Sequence, residues 1–184
     1  MQQRRVILGI DPGTTIMGYG IIGIENNKPD LLTLGCIELF KIKNHYEKLA
    51  SIFEKTLHLI DEYKPLELAI EAPYYGNNIQ SMLKLGRAQG VAISAALYRG
   101  LSVFEYAPRK IKQSITGQGG ASKEQVARML QKTLIIEEMP SKLDATDGLA
   151  AALCHFYQGN HVKEKTEFKS WNDFLKKKPD RIKT

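Results

Sequence analysis

The sequence predicts an α/β domain on one five-stranded mixed sheet, an antiparallel meander joined to parallel strands, with helices on its flanks. Three observations carry that expectation. The apolar runs Arg5–Ile10, Gly18–Ile24 and Leu31–Leu39 follow one another at short intervals, and such connections favour antiparallel neighbours. Apolar residues then recur at helical spacing from His45 to Tyr63, just before the strand-like run Leu66–Glu71. A strand, a helix and a strand in one sheet make parallel neighbours.

Each element has its own local reason. Arg5–Ile10 is rich in Val and Ile and closes on Asp11, where Pro12-Gly13 turns the chain. Gly18–Ile24 is the second strand, and Glu25–Asp30 is dense enough in turn formers to predict a six-residue loop before Leu31–Leu39. In the first helix Leu49, Ile52, Phe53, Thr56, Leu57, Ile60 and Tyr63 form the apolar face, and Pro65 stops it. Asn78–Tyr98 is a second long helix whose small residues Ala88, Gly90, Ala92 and Ala95 predict close packing on the sheet. Leu101–Tyr106 is the fifth strand; a short helical turn follows from Pro108, and Thr116–Gly120 is a glycine-rich loop. Ser122, with Glu124 close behind, starts a helix to about Thr133, and the last core helix spans Lys142–Tyr157.

With 184 residues the chain supports one core-forming domain, read as 1–158, followed by a basic tail at 159–184. The tail carries eight Lys/Arg against four Asp/Glu and spaces Trp171, Phe174 and Leu175 helically. A docked amphipathic helix and a free basic arm both fit that pattern. No run of 18 apolar residues exists, which excludes a spanning helix. No export signal is legible, and Cys36 and Cys154 lack metal-ligand spacing, so a reduced, cytoplasmic setting is expected. Net charge is +6, and seven basic residues but only two acids lie between Arg99 and Lys132. That segment suits a polyanion, although a solvated basic face gives the same count.

Acids supply the chemistry. Asp11 and Glu71 each end an apolar strand with a proline one or two residues on, and parallel pairing would set them side by side. A turn-initiating Asp is the simpler account of Asp11 alone. Asp144 and Asp147, three apart, share one face at the start of the last helix. Acids there complement the helix dipole, by about 0.3–1 kcal/mol each, but Asp147 lies among Gly148, Ala150 and Ala151, on a face suited to close packing. An all-oxygen set of Asp11, Glu71, Asp144 and Asp147 suits Mg²⁺ or Mn²⁺ rather than Zn²⁺. Two such ions about 3.5–4 Å apart are the usual device for in-line phosphodiester displacement.

In this order the motifs resemble the ribonuclease H-like nuclease superfamily and, within it, the RuvC family of bacterial Holliday junction resolvases. The resemblance covers roughly residues 5–158. It rests on Ile-Leu-Gly-Ile-Asp11-Pro-Gly-Thr, Gly18-Tyr19-Gly20, Ala69-Ile70-Glu71 and Leu85-Gly86-Arg87-Ala88-Gln89-Gly90. Val103-Phe104-Glu105-Tyr106-Ala107-Pro108, Lys112-Gln113-Ser114, Gly117-Gln118-Gly119 and Asp144-Ala145-Thr146-Asp147 complete it.

The resemblance implies a homodimer that binds four-way junction DNA and nicks two strands of like polarity, with two Mg²⁺ per subunit that Mn²⁺ can replace. Its four acidic ligands match Asp11, Glu71, Asp144 and Asp147. An aromatic three positions after the second acid, Tyr74 here with Tyr75 as neighbour, is implied to stack on bases at the crossover. Lys112 and Lys123 match DNA contacts near the scissile phosphate; Arg87, Arg109 and Lys110 are further phosphate-contact candidates or plain surface charges. The branch-migration motor complex of the same pathway is a further candidate partner. Competing readings are an RNA-directed nuclease of the same fold and a non-catalytic junction binder; an actin-like ATPase would need a second half-domain.

Overall fold

β1 (Arg5–Asp11) is the hub of the sheet in the computed structural model, which describes residues 4–73, 78–140 and 142–159. On one side β1 pairs antiparallel with β2 (Ile16–Glu25), which pairs antiparallel with the edge strand β3 (Lys28–Glu38). On the other side lie β4 (Glu67–Glu71) and β5 (Ser102–Tyr106), each parallel to its neighbour. The order β3-β2-β1-β4-β5 is the expected mixed sheet of meander plus parallel strands. Tyr74, Tyr75 and the tail after Gly159 lie outside the described residues.

One connection differs from expectation. Instead of a six-residue loop, Asn26 and Asn27 alone join β2 to β3, with φ of 50° and 61°. Asn tolerates the left-handed region, and a two-residue turn with both centres there matches the strand twist. Pro29, which argued for a loop, sits on the edge strand, where proline is accommodated.

The helices follow local chemistry. α1 (His45–Tyr63) is capped by Asn44, whose side chain accepts from the Tyr46 N–H at 2.8 Å, and ends on Lys64 in the left-handed region before Pro65. α2 (Ile79–Tyr98) is capped by Asn78. α3 (Pro108–Thr116) has proline in its first turn and closes on Gly117 at φ 77°. α4 (Lys123–Leu134) begins with a reciprocal box between Ser122 and Gln125, so Gln125 rather than Glu124 is the partner. α5 (Asp144–Gly159) is the most deeply buried of the set.

Strand alternation splits the core into two layers. Val6, Leu8 and Ile10 of β1, with Leu68 and Ile70 of β4, face α1 and α2. Ile7 and Ala69 face the opposite layer, built from α3, α4 and α5. Residues of the same parity as Ile7 and Ala69, namely Gly9, Asp11 and Glu71, therefore turn toward α5. α2 packs through Ala88, Ala92, Ala95 and Ala96, not through Gly90 as expected; a Cβ at Gly86 or Gly90 would meet nothing within 4 Å. Among the described residues no helix is long and apolar enough to cross a membrane.

Candidate active site

Two constraints assemble the site. The first is register: Ile10 pairs with Ile70 in the parallel β1–β4 ladder, so Asp11 and Glu71 follow side by side at its C-terminal edge. The second is a seat of glycines beneath α5. A Cβ on Gly9 would lie 2.1 Å from the Gly148 carbonyl oxygen, one on Gly18 1.9 Å from the Asp144 carbonyl oxygen, and one on Gly20 2.4 Å from the Leu149 Cα. Helix backbone therefore rests on strand backbone with no side chain between. That approach brings Asp144 and Asp147, in the first turn of α5, to the edge that carries Asp11.

The electrostatics follow from this crowding. Burial, then the nearby Asp147, pushes the Asp11 carboxyl up from 3.8 to about 7, against the pull of Lys123. Burial and the Asp11 charge push Glu71 up from 4.5 to about 8. Burial also raises Asp147, opposed by its bond to Lys123. Burial is the largest cause of each shift, the neighbouring acids add to it, and each shift is opposed by nearby positive charge.

Lys123 supplies some of it. Its Nζ donates to Asp147 Oδ2 at 2.6 Å and lies 3.4 Å from Asp144 Oδ1. Burial alone would lower the Lys123 ammonium, but the bonds and charges of Asp147 and Asp144 push it up to about 12. The carboxylates are gathered without being drawn to one point: among the described residues, no three His, Cys, Asp or Glu side chains converge as a metal-holding group.

A cleft of about 550 Å³ opens over the acids, with Asp11, Glu71, Asp147 and Lys123 inside and Arg109 and Lys112 on its wall. Gly119, from the glycine-rich loop, also lines it and packs so tightly on Arg109 that a Cβ would come within 2.5 Å of Arg109 Cγ. Lys110 and Arg87 are exposed and do not line the cleft.

Three supporting contacts carry no simple sequence signal. Lys48 of α1 donates to the Thr14 carbonyl at 2.9 Å and ties that helix to the turn after Asp11. The Tyr106 hydroxyl shares a 2.6 Å hydrogen bond with His155 Nδ1, which fastens α5 to β5 two turns beyond Asp147. Gln89 of α2, almost fully buried, bonds the Glu71 carbonyl and the Glu105 carboxylate. Thr14, Gln89, Glu105 and Tyr106 fall within the sequence motifs, which assign them no role, and Lys48 and His155 lie outside those motifs.

Comparison with known proteins identifies the family. Residues 7–155 match the family model for crossover junction endodeoxyribonuclease RuvC. The chain is 56% identical over 182 residues to the protein of that name from Christiangramia forsetii, covering 99% of this chain and 95% of that one. It is 57% identical over 184 residues to the Bacteroides fragilis protein, covering 98% and 97%. Among solved structures it superposes on Thermus thermophilus RuvC in complex with Holliday junction substrate with a TM-score of 0.79, at 30% identity, covering 86% of this chain and 96% of that one. The chain belongs to the RuvC family of crossover junction endodeoxyribonucleases.

Proposed function

We propose that this protein resolves four-way DNA junctions in recombination and repair, as a divalent-metal-dependent endonuclease working as a homodimer with one site per subunit. The observation that carries the reading is the meeting of Asp11, Glu71 and Asp147 at the floor of a cleft walled by Arg109 and Lys112, with Asp144 beside it. The junction complex of the Thermus relative supports the substrate class.

The site suits Mg²⁺ or Mn²⁺. Every donor is a carboxylate oxygen, burial and the neighbouring acids hold Asp11 and Glu71 above their ordinary range, and Lys123 brings one positive charge to Asp147. When bound, two such ions would supply the Lewis acidity for in-line attack of water on the phosphodiester. Asp11, between Glu71 and Asp147, would be the central ligand, and Glu71, Asp144 and Asp147 would complete the set. Lys123, beside Asp147 at the cleft, would meet the scissile phosphate once bound cations balanced the charge of its partners. Lys112 and Arg109 hold the strand from the wall, and Lys110 and Arg87 contact phosphates farther out, fixing register without reading bases. Tyr74 stacks on a base at the opened crossover, which is worth about 1–3 kcal/mol per base.

The exposed face of α2 supports the homodimer. Ile79, Leu83 and Leu97 are 72%, 52% and 58% exposed, with the uncovered Gly86 and Gly90 between them. Ile79, Leu83, Gly86, Gly90 and Leu97 follow at steps of four, three, four and seven, one helical stripe whose small residues let two helices approach closely.

The test is a synthetic four-way junction with end-labelled strands, compared with linear duplex of the same sequence. Paired, symmetric, ligatable nicks in the junction alone, and only with Mg²⁺ or Mn²⁺, are expected. Equal cutting of duplex, or cutting in excess chelator, would overturn the reading.

A further inference from the structure

We propose that Gln89 is a positioning residue for cleavage: from the sheet face opposite the carboxylates, it fixes the Glu71 backbone and so sets where the Glu71 carboxylate meets the metal. The inference rests on the function proposed above and adds a residue to its machinery.

Glu71 is the last residue of β4: its pairing with β5 reaches Tyr106, but the β1–β4 ladder stops at Ile10 and Ile70. The chain immediately beyond it is tied to β5 by the Ala72 N–H, which donates to the Tyr106 carbonyl at 2.9 Å. The Glu71 carbonyl is met from α2 instead, by Gln89 Nε2 at 3.4 Å. The second hydrogen of the same amide points to Glu105 Oε2 at 3.0 Å. Both neighbours are acceptors only, so the amide nitrogen must face them; the flipped amide would set three oxygens together.

The clamp lies opposite the chemistry. In the β4–β5 register Glu105 pairs with Ile70, and Ile70 belongs to the layer facing α1 and α2. The Glu71 side chain has the other parity and enters the cleft. Gln89 therefore touches neither metal nor DNA and acts only through the Glu71 backbone. Crowding by Asp11 and Asp147 pushes against the Glu71 carboxylate, so a Glu71 carbonyl without its Gln89 donor would let it withdraw. Gln89 is 8% exposed, and a polar side chain buried to that degree needs a bonding role.

Three full-length variants test this. Gln89→Leu keeps volume and burial and removes both donors. Gln89→Glu sets two carboxylates together. Gln89→Glu with Glu105→Gln restores one bond between helix and strand, but leaves the Glu71 carbonyl without a donor. Mn²⁺ affinity is read by calorimetry in the absence of DNA, junction affinity in chelator, and kcat and KM on the labelled junction. Outer partners of metal ligands change affinity or activity by about 10–100-fold. Gln89→Leu is expected at the lower end of that range for Mn²⁺ affinity and kcat, with junction affinity and KM unchanged. The double variant is expected to regain thermal stability while Mn²⁺ affinity and kcat stay low.

Wild-type Mn²⁺ affinity and kcat in Gln89→Leu overturn the proposal. So does recovery of stability, metal affinity and kcat together in the double variant, which marks a merely structural tie. A wild-type protein that binds no Mn²⁺ removes the proposed function as well, and that result is separate from the variant comparison.

Discussion

Lys123 places its ammonium 2.6 Å from Asp147 Oδ2, in the position a cation would take among these carboxylates. Asp144 lies 3.4 Å from the same nitrogen. The ammonium thus bridges the two acids of α5, and a divalent ion binding Asp147 would compete with Lys123 for it. Lys123→Met should lower the melting temperature in chelator by roughly 2–4 °C, the shift expected for about 1 kcal/mol in a domain of this size. The same variant should bind Mn²⁺ more tightly by calorimetry yet cut junctions more slowly. Unchanged or weaker metal binding would show that Lys123 is no competitor.

Stability should depend on pH in a direction set by Asp11 and Glu71. Their folded values, about 7 and about 8, lie above the ordinary 3.8 and 4.5. Between those limits the folded state binds more protons than the unfolded chain, so this contribution is full below pH ~4 and is lost as pH rises through about 7–8. Melting in chelator should fall from about pH 5.5 to about pH 8.5, and added Mg²⁺ should stabilise more at the upper end. A flat profile, or equal Mg²⁺ effects at both ends, contradicts the assignment.

The glycine seat beneath α5 gives a third prediction. A methyl at Gly9 would meet the Gly148 carbonyl oxygen at 2.1 Å and the Ala152 nitrogen at 2.6 Å, both backbone atoms that cannot rotate away. Gly9→Ala should cost about 1–3 kcal/mol in urea unfolding, the usual range for overpacking. It should also cut junction cleavage, because lifting α5 moves Asp144 and Asp147 together. Gly86→Ala is the control, since a Cβ there meets nothing within 4 Å. It should leave the subunit's own folding intact or improve it by about 0.5–1 kcal/mol.

Much of this site was legible in the sequence because strand parity and helical spacing are local rules. Asp11 and Glu71 could be set side by side from a strand–helix–strand order, and Asp144 and Asp147 on one face from a three-residue step. The glycine seat was half visible: Gly148 signalled close packing, but its partners Gly9, Gly18 and Gly20 lie far off in the chain. The β2–β3 turn is shorter than its sequence suggests because Pro29 carries the same turn signal in a loop and on an edge strand. Gln89, Lys48 and His155 act through contacts between distant elements, and no spacing rule announces them.

The α2 stripe predicts the assembly. Leu83→Glu puts a charge into the centre of the apolar face and should yield monomers by sedimentation velocity. Those monomers should lose paired nicking on the junction while keeping metal binding. A dimer that survives the substitution places the interface elsewhere.

Asp11→Asn on one labelled four-way junction asks most sharply whether the Asp11 carboxylate would hold the metal for the cut. Binding in chelator and nicking in Mg²⁺ are measured on the same preparation. Junction affinity equal to or above that of the native protein, with nicking reduced by at least about 10²-fold, is the predicted result. Normal nicking by Asp11→Asn would contradict the account outright.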